Sequence, residues 1–286
     1  MVFLDYTQGE LDRQYDQRAW VTNAVEIIRR YRDNSDAVRA RLGEPDVYAY
    51  GDTPSETLDL FRTDRPNAPI QVFIHGGAWR LLSKRDSAFA AETFVRAGAH
   101  FIALDFALVP NVPLAEMAAQ VRRAIAWIYR NTGIFGGNPE RIFVSGHSSG
   151  AHLAATAVVT DWPALFALPR GIVKGALCAS GVYDLRPVRL SARNDYLRID
   201  AKTEQDLSPL RHLALLDCPV LVAHAELETP EFVRQSREFA AALGPALSSP
   251  IIVGKGQNHF EVVETLADPG GALGRAALLQ MGLASE

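Results

Sequence analysis

The sequence predicts an α/β fold in which a mostly parallel sheet is flanked by helices. From residue 69 onward, short β-branched or apolar runs alternate with helix-like segments, which is the pattern of consecutive βα units. Hydrophobic residues make up 48% and charged residues 22% of the 286 positions, a composition typical of a globular protein with a sizeable core. We therefore expect about eight strands in a single domain over residues 1–286.

Two kinds of strand are predicted. Runs at βα spacing predict strands at 70–74, 101–106, 141–145, 174–180, 219–225 and 250–254. Ahead of them, 47–50 and 57–62 flank a turn-rich segment, and we expect these two strands to form an antiparallel edge of the same sheet.

Helical patterns occupy the segments between the strands. The predicted helices are 84–97, 114–131, 149–159, 230–243 and 259–266. Residues 1–40 are charged and helix-prone, and we expect them to form an arm packed on the body of the domain. Segment 183–216 is the longest interruption between strands and is expected to be a short lid or binding loop rather than a full cap domain.

Composition argues against several classes of partner. The 29 Lys and Arg against 33 Asp and Glu leave a net charge of −4 without a basic stretch, so we expect no binding to nucleic acid. No apolar run approaches the roughly 18 residues of a membrane span, and no signal peptide is evident. We therefore expect a cytoplasmic protein without membrane contact. Cys178 and Cys218 lie in apolar stretches and are expected to be buried rather than bonded to each other or to zinc.

A glycine-flanked serine follows the predicted strand at 141–145. The motif is Gly146-His147-Ser148-Ser149-Gly150, and a helix-prone stretch comes directly after it. A sharp strand-to-helix turn projects the serine hydroxyl, and the small glycines let strand and helix approach each other. The pattern favours Ser148 as a nucleophile. The alternative is a glycine-rich turn that merely ends a buried strand.

A second glycine motif, His75-Gly76-Gly77-Ala78-Trp79, follows the predicted strand at 70–74. Bare glycines leave backbone N–H groups unshielded, and with the N–H at the start of the next helix they can stabilise an oxyanion. The predicted donors are Gly76, Gly77 and Ser149. The alternative is a turn with no role in chemistry.

A serine nucleophile needs a histidine base, and His259 follows the last predicted strand, where this topology places its base. A helix-capping or surface role is the alternative for His259.

The carboxylate that orients the base is expected after the strand at 219–225, where both Glu226 and Glu228 occur. We favour Glu228 because it lies beyond the strand, beside a helix start. Either glutamate could instead be an ordinary charge at the helix N-terminus.

These motifs resemble the arylformamidase (kynurenine formamidase) branch of the α/β-hydrolases, which adjoins the hormone-sensitive-lipase-type esterases. The resemblance covers most of the chain and includes, in order, the motifs at 75–79, 145–152, 181–187, 228–232 and 258–260. It implies the α/β-hydrolase fold, with Ser148 as nucleophile, Glu228 as acid and His259 as base. It also implies Gly76, Gly77 and Ser149 as oxyanion donors. The acid of this branch is generally Asp, so Glu228 departs from the pattern.

The predicted function is cleavage of a small acyl group from an aryl amide or ester without metal or organic cofactor, since the oxyanion donors supply the electrophilic help. Trp79, Phe106 and Tyr183 lie near carboxyl ends of strands and are expected to line an aromatic substrate pocket, with a core position as the alternative. The competing functions are a carboxylesterase for small or aryl esters and a ligand-binding protein without catalysis. The expected partner is a small-molecule ester or amide, and formation of a homo-oligomer stays open.

Overall fold

An eight-stranded sheet organises the part of the chain that the computed structural model describes, which is residues 1–245, 247 and 250–284. The strands are β1 (Asp46–Ala49), β2 (Thr57–Phe61), β3 (Ala68–Ile74), β4 (His100–Leu104), β5 (Gly137–His147), β6 (Val173–Ala179), β7 (Val220–Leu227) and β8 (Ile252–Asn258). Their order across the sheet is β1-β2-β4-β3-β5-β6-β7-β8. The predicted α/β fold is confirmed.

The direction of the strands also agrees with the prediction. β2 pairs antiparallel with both β1 and β4, which confirms the antiparallel edge. The neighbours from β4 through β8 are parallel. Along the chain, β4 is added on one side of β3 and β5 on the other side. The direction in which the sheet grows therefore reverses between β3 and β5. In open α/β sheets, ligands bind at the carboxyl ends of strands at such a reversal.

Helices cover both faces of this sheet. The α-helices are α1 (Gln8–Tyr15), α2 (Gln17–Trp20), α3 (Ala24–Leu42), α4 (Ala91–Arg96), α5 (Leu114–Asn131), α6 (Ser149–Val158), α7 (Trp162–Phe166), α8 (Arg186–Leu190), α9 (Asn194–Leu197), α10 (Ala201–Leu207), α11 (Pro230–Leu243) and α12 (Ala272–Gln280). The 3₁₀ helices are Lys84–Asp86, Ala88–Ala90, Thr132–Ile134, Pro209–Arg211, Leu213–Leu215 and Val262–Ala267. None of the helices within the described ranges has the length and apolar character needed to cross a bilayer.

The buried apolar side chains form two clusters that the sheet separates. Successive side chains of a strand point to opposite faces, so Ile74 belongs to one cluster and Phe73 to the other. One cluster includes α5, α6 and α11, and the second includes α3, α4 and α12. Helix α3, from the predicted N-terminal arm, therefore contributes to the core of the sheet.

Helices α5 and α11 have the predicted bounds, but the helix predicted over 84–97 is broken. Only Ala91–Arg96 is α-helical there, and two 3₁₀ turns precede it. Ser83 donates a hydrogen bond from Oγ to Asp86 Oδ2 (2.9 Å), and Ser87 donates from Oγ to the Ser83 carbonyl (2.8 Å). Such local bonds to Ser and Asp compete with helical hydrogen bonding.

The helix predicted over 259–266 was also wrong in type and start. The Asn258 side chain accepts hydrogen bonds from the N–H groups of Phe260 (2.9 Å) and Glu261 (3.2 Å), and a 3₁₀ helix begins only at Val262. His259 therefore lies in a turn outside any helix. Segment 183–216 contains three short α-helices, α8 to α10, where a loop was expected, and the sequence reasoning did not predict α7 or α12.

Candidate active site

Ser148 occupies the sharp turn between β5 and α6. Its backbone has φ 56° and ψ −122°, a conformation that L-residues adopt at a cost of about 1–3 kcal/mol, and its N–H donates to the Ala179 carbonyl at 2.9 Å. The flanking glycines are sterically required. A Cβ on Gly146 would lie 2.2 Å from the Gly150 carbonyl oxygen, and a Cβ on Gly150 would lie 2.1 Å from the Ile74 carbonyl oxygen. The backbone is that of the predicted nucleophile elbow.

A hydrogen-bonded chain leads from Ser148 into the interior. His259 Nε2 lies 3.1 Å from Ser148 Oγ, and His259 Nδ1 donates a short hydrogen bond to Glu228 Oε1. The other Glu228 oxygen accepts hydrogen bonds from Ser180 Oγ (2.9 Å) and the Ala225 N–H (3.0 Å). The Glu228 carboxylate is fully buried, and these donors satisfy it. In this arrangement Nε2 can take a proton from Oγ while the carboxylate holds the imidazole orientation.

Aromatic rings and a second histidine surround the imidazole of His259. Phe232 and Phe260 both pack edge-on against it, with ring centroids 4.9 and 5.1 Å away. His147 donates from Nε2 to the His259 carbonyl at 2.7 Å. Burial and, to a smaller extent, the neighbouring His259 hold the pKa of His147 well below its usual range. His147 is therefore a neutral donor that fixes the backbone of His259.

Glu226, the alternative acid, points to a different environment. It lies on the exposed part of β7, where it pairs with Lys255 Nζ at 3.1 Å and accepts the Gly256 N–H at 2.7 Å. The Gly256 N–H and then Lys255 lower the pKa of the Glu226 carboxyl. β7 continues through Leu227, two residues beyond the predicted end, so Glu228 is the first residue past the strand.

Among the described residues, no histidine other than His259 has a hydrogen bond to Ser148 Oγ. His75 stacks on Phe106, and its Nε2 is 3.6 Å from Asp105 Oδ1. His152 is buried against Trp79. Within the described ranges, no cluster of three or more His, Cys, Asp or Glu side chains has an arrangement suited to a metal ion.

The turn after β3 lies against the nucleophile elbow. Gly77, Ala78 and Trp79 have φ angles of 104°, 54° and 61°, three consecutive residues in the left-handed region. A Cβ on Gly76 would approach the His147 carbonyl oxygen to 2.7 Å. Among the described residues, no acceptor takes the backbone N–H of Gly77 or Ser149. Gly77 and Ala78 line the same cavity as the serine, whereas Gly76 and Ser149 are buried beside Gly77 and Ser148.

A cavity of about 920 Å³ opens above the serine. Its floor includes Ser148, His259 and Gly77. The walls include residues of the two segments expected to be an arm and a lid, together with Arg80, Leu81, Leu82 and Asp86 from the segment after β3. Aromatic and charged residues of those segments that line the cavity include Tyr15, Arg18, Tyr31, Arg193, Asp195 and Tyr196.

The three aromatic residues predicted to line the substrate pocket do not line this cavity, and each is at most 3% exposed. Trp79 donates from its indole Nε1 to His152 Nδ1 at 3.2 Å, so its ring is directed inward. Phe106 is covered by the stacked ring of His75, with centroids 4.3 Å apart. Tyr183 stacks on Phe239 at 4.0 Å and donates its hydroxyl to the Cys178 carbonyl. The expectation of a pocket formed by these rings was wrong, and the alternative of core positions holds.

The arm is fastened to the segments that carry the acid and the base. Tyr31 donates its hydroxyl to the Phe260 carbonyl at 2.5 Å, and Gln17 donates from Nε2 to Thr229 Oγ1 at 2.9 Å. Tyr15 packs edge-on against Phe232, the ring that contacts His259. The sequence of the arm contains no motif that indicates a place for Tyr15 in the site.

Comparisons with known proteins identify relatives that match almost the whole chain. The BD-FAE family model matches residues 58–166. The chain is 31% identical to kynurenine formamidase of Danio rerio over 96% of this chain and 97% of that protein. It is 29% identical to kynurenine formamidase of Salmo salar, with 97% and 98% of the two chains covered.

Solved structures show the same fold. A Silicibacter protein provisionally named a thioesterase is 26% identical, with a TM-score of 0.80 over 92% of this chain and 97% of that chain. Esterase LipW of Mycobacterium marinum is 20% identical, with a TM-score of 0.72 over 93% and 90%. Since its sequence matches a kynurenine formamidase over almost the whole of both proteins and its fold is that of the esterases, the chain belongs to the kynurenine formamidase family of α/β-hydrolases and is a hydrolase.

Proposed function

We propose that the protein hydrolyses a small acyl group from an aryl amide or ester, with Ser148 as nucleophile, His259 as base and Glu228 as acid. The observation that carries this assignment is the continuous chain of hydrogen bonds from Ser148 Oγ through His259 to Glu228. A glutamate serves as well as an aspartate here, because the role needs only a carboxylate acceptor for the imidazole N–H.

In the proposed reaction, His259 Nε2 takes the proton of Ser148 as Oγ attacks the carbonyl carbon of the substrate. The carbonyl oxygen becomes an oxyanion and accepts hydrogen bonds from the backbone N–H groups of Gly77 and Ser149, with Gly76 as the third predicted donor. Collapse of the tetrahedral intermediate breaks the bond to the amine or alcohol, which leaves with the proton from His259. Water then attacks the acyl-serine by the same route and releases the acid.

An arylformamidase-like specificity is supported by the full-length kynurenine formamidase relatives and by the lining of the cavity. A formyl group needs little space beside the nucleophile, whereas an aryl leaving group fits a cavity walled by Tyr15, Tyr31 and Tyr196. We therefore propose N-formylkynurenine-type amides as substrates. The second candidate is a carboxylesterase for small or aryl esters, which the esterase-like structures favour.

The two candidates separate in one set of assays. A p-nitrophenyl series from acetate to octanoate is measured beside N-formylkynurenine, with direct detection of formate and with Ser148→Ala as the blank. We expect kcat/KM to be highest for formyl or acetyl groups and to fall with acyl length, because a site specialised for a formyl group has little room for a longer acyl chain beside the nucleophile. A maximum at hexanoate or longer without formate release would leave the carboxylesterase. Inertness toward all substrates and toward a fluorophosphonate probe would indicate a binding protein.

We also propose that residues 1–286 form one domain. In this proposal the arm over 1–40 and the segment 183–216 contribute to the walls of the binding site, since residues of both line the cavity. A small-molecule substrate is then the proposed partner, and the proposed chemistry needs no metal or organic cofactor. A cytoplasmic location remains a prediction that cell fractionation would test.

A further inference from the structure

A second chain of hydrogen bonds passes through Trp79, which is separated from the predicted oxyanion glycines by Ala78. Its indole Nε1 donates to His152 Nδ1 at 3.2 Å, and His152 Nε2 donates to the Leu207 carbonyl at 2.8 Å. The backbone N–H of Trp79 donates to Ser149 Oγ at 3.1 Å. Trp79 is 1% exposed and His152 is fully buried. None of these side-chain groups has a part in the proton transfers proposed above.

The two hydrogen bonds of His152 require one particular tautomer of the neutral imidazole. Nδ1 must be unprotonated to accept from the indole, and Nε2 must carry the hydrogen that reaches Leu207. Burial lowers the pKa of His152 to about 4, with Arg122 adding a smaller effect in the same direction. The side chain is therefore neutral near pH 7, and it accepts from one segment of the chain while donating to another.

The turn that ends with this tryptophan must be held in place by contacts with other segments of the chain. Gly77, Ala78 and Trp79 are all left-handed, and this conformation is strained for Ala78 and Trp79, which carry a Cβ. Strain of this kind persists only where surrounding contacts hold it. Here both contacts reach α6, which begins immediately after Ser148. They therefore fix the N–H of Gly77 relative to the N–H of Ser149 and to the nucleophile.

We propose that His152 is a positioning residue for the oxyanion donors and that it acts through the indole of Trp79. The inference rests on the proposed function, in which the same turn binds the oxyanion. Because the other bond of His152 ends on Leu207, the last residue of α10, the same side chain ties the turn to the segment 183–216. The oxyanion exists only in the transition state and intermediates, so disturbing its donors should lower kcat more than it raises KM.

Two isosteric substitutions separate the two bonds of His152. In His152→Asn, the Oδ1 atom is as many bonds from the backbone as Nδ1 is, so it can accept from the indole but cannot reach Leu207. In His152→Gln, the terminal amide can replace Nε2 but leaves the indole without its acceptor. We expect kcat to fall about 10-fold or more in His152→Gln, with KM changed less than about twofold, since losing a donor outright costs roughly 10²–10³-fold. His152→Asn should recover most of this loss.

Trp79→Phe removes the same hydrogen bond from the donor side, because it keeps an aromatic ring and lacks the indole N–H. We expect the same fall in kcat, and the double variant with His152→Gln should lose no more than either single variant. Affinity for a trifluoromethyl ketone, whose adduct carries an oxyanion, should fall in parallel with kcat. This inhibitor measurement and Trp79→Phe decide the question even where His152→Gln folds poorly.

His100→Gln is the matched control. His100 is also buried and also accepts a backbone N–H at Nδ1, from Thr63 at 3.3 Å, but it lies at the opposite end of the parallel strands. We expect its kcat to match that of the wild type. Wild-type kcat in both His152→Gln and Trp79→Phe, or an equal loss in His152→Asn and His152→Gln, would overturn the inference. Activity in Ser148→Ala would instead overturn the proposed site on which the inference rests.

Discussion

Nε2 of His259 lies 3.1 Å from Oγ of Ser148, although 111 positions separate the two residues in the chain. Each follows the carboxyl end of a parallel strand, Ser148 after β5 and His259 after β8, and Glu228 follows β7 between them in sequence. Because parallel strands end at the same edge of the sheet, three distant residues reach one site without any local contact.

Ser148→Ala is expected to abolish turnover of every substrate while leaving the fold intact. The methyl group adds no bulk at the turn, and the proposed reaction has no other nucleophile. His259→Ala should lose nearly as much activity, because the members of such a chain act as a unit. The check is a steady-state assay beside far-UV circular dichroism. Wild-type turnover in a correctly folded Ser148→Ala protein would remove this serine from the mechanism.

Glu228→Gln is expected to lower the acylation rate by roughly 10⁴-fold, because an amide cannot hold the imidazole in the required tautomer or stabilise the imidazolium. Glu226→Gln is the matched control, since it makes the same chemical change two residues away on an exposed side chain that pairs with Lys255. Single-turnover acylation with a p-nitrophenyl ester would measure both. The reverse order of effects would identify Glu226 as the acid.

The sequence was informative about the site wherever the chemistry depends on local geometry. The elbow around Ser148 needs glycines at 146 and 150, because a Cβ at either position would lie 2.1–2.2 Å from a backbone carbonyl oxygen. The motif therefore indicates this steric requirement directly. The position of His259 follows from the order of strands. The choice between Glu226 and Glu228 depends on where β7 ends. The predicted end of this strand lies two residues before the observed one. The favoured residue, Glu228, is nevertheless the one that contacts His259.

The direction of a side chain at a strand end could not be predicted in the same way. Trp79, Phe106 and Tyr183 follow strands, as expected. Each ring nevertheless points into the core, because it contacts a residue of a distant segment there. Those partners are His152, His75 and Phe239. The residues that line the cavity instead include many from the arm and from segment 183–216. The approach of the arm to the serine depends on tertiary contacts such as the bond from Tyr31 to Phe260.

Gly150→Ala is expected to prevent correct folding or to lower the free energy of unfolding by several kcal/mol. The new Cβ would lie 2.1 Å from the Ile74 carbonyl oxygen and 2.5 Å from that of His75, both backbone atoms that cannot turn aside. Clashes of this kind force backbone shifts, and overpacking alone costs about 1–3 kcal/mol. Gly133→Ala is the control, because a Cβ there meets nothing within 4 Å. Urea unfolding of both variants tests the expectation, which equal stabilities would contradict.

The last prediction concerns pH and the buried His152. Its ordinary pKa of 6.5 falls to about 4 in the folded protein, mainly through burial. Between these two values the unfolded chain binds a proton that the folded protein does not, so lowering the pH favours unfolding. The stability that the neutral imidazole contributes is present above pH 6.5, is lost as the pH falls toward 4, and does not change further below that. Between pH 7 and 5 the loss from this one group is about 2 kcal/mol.

Burial also lowers the pKa of His147, so this group adds to the pH dependence of unfolding and the measurement must compare two proteins at two pH values. His152→Asn keeps the acceptor for the Trp79 indole but has no titrating group. We expect the free energy of unfolding in urea to fall by about 2 kcal/mol more in the wild type than in His152→Asn between pH 7 and 5. An equal fall in both proteins would show that His152 protonates as readily in the folded protein as in the unfolded chain. That result would contradict a neutral imidazole held between Trp79 and Leu207.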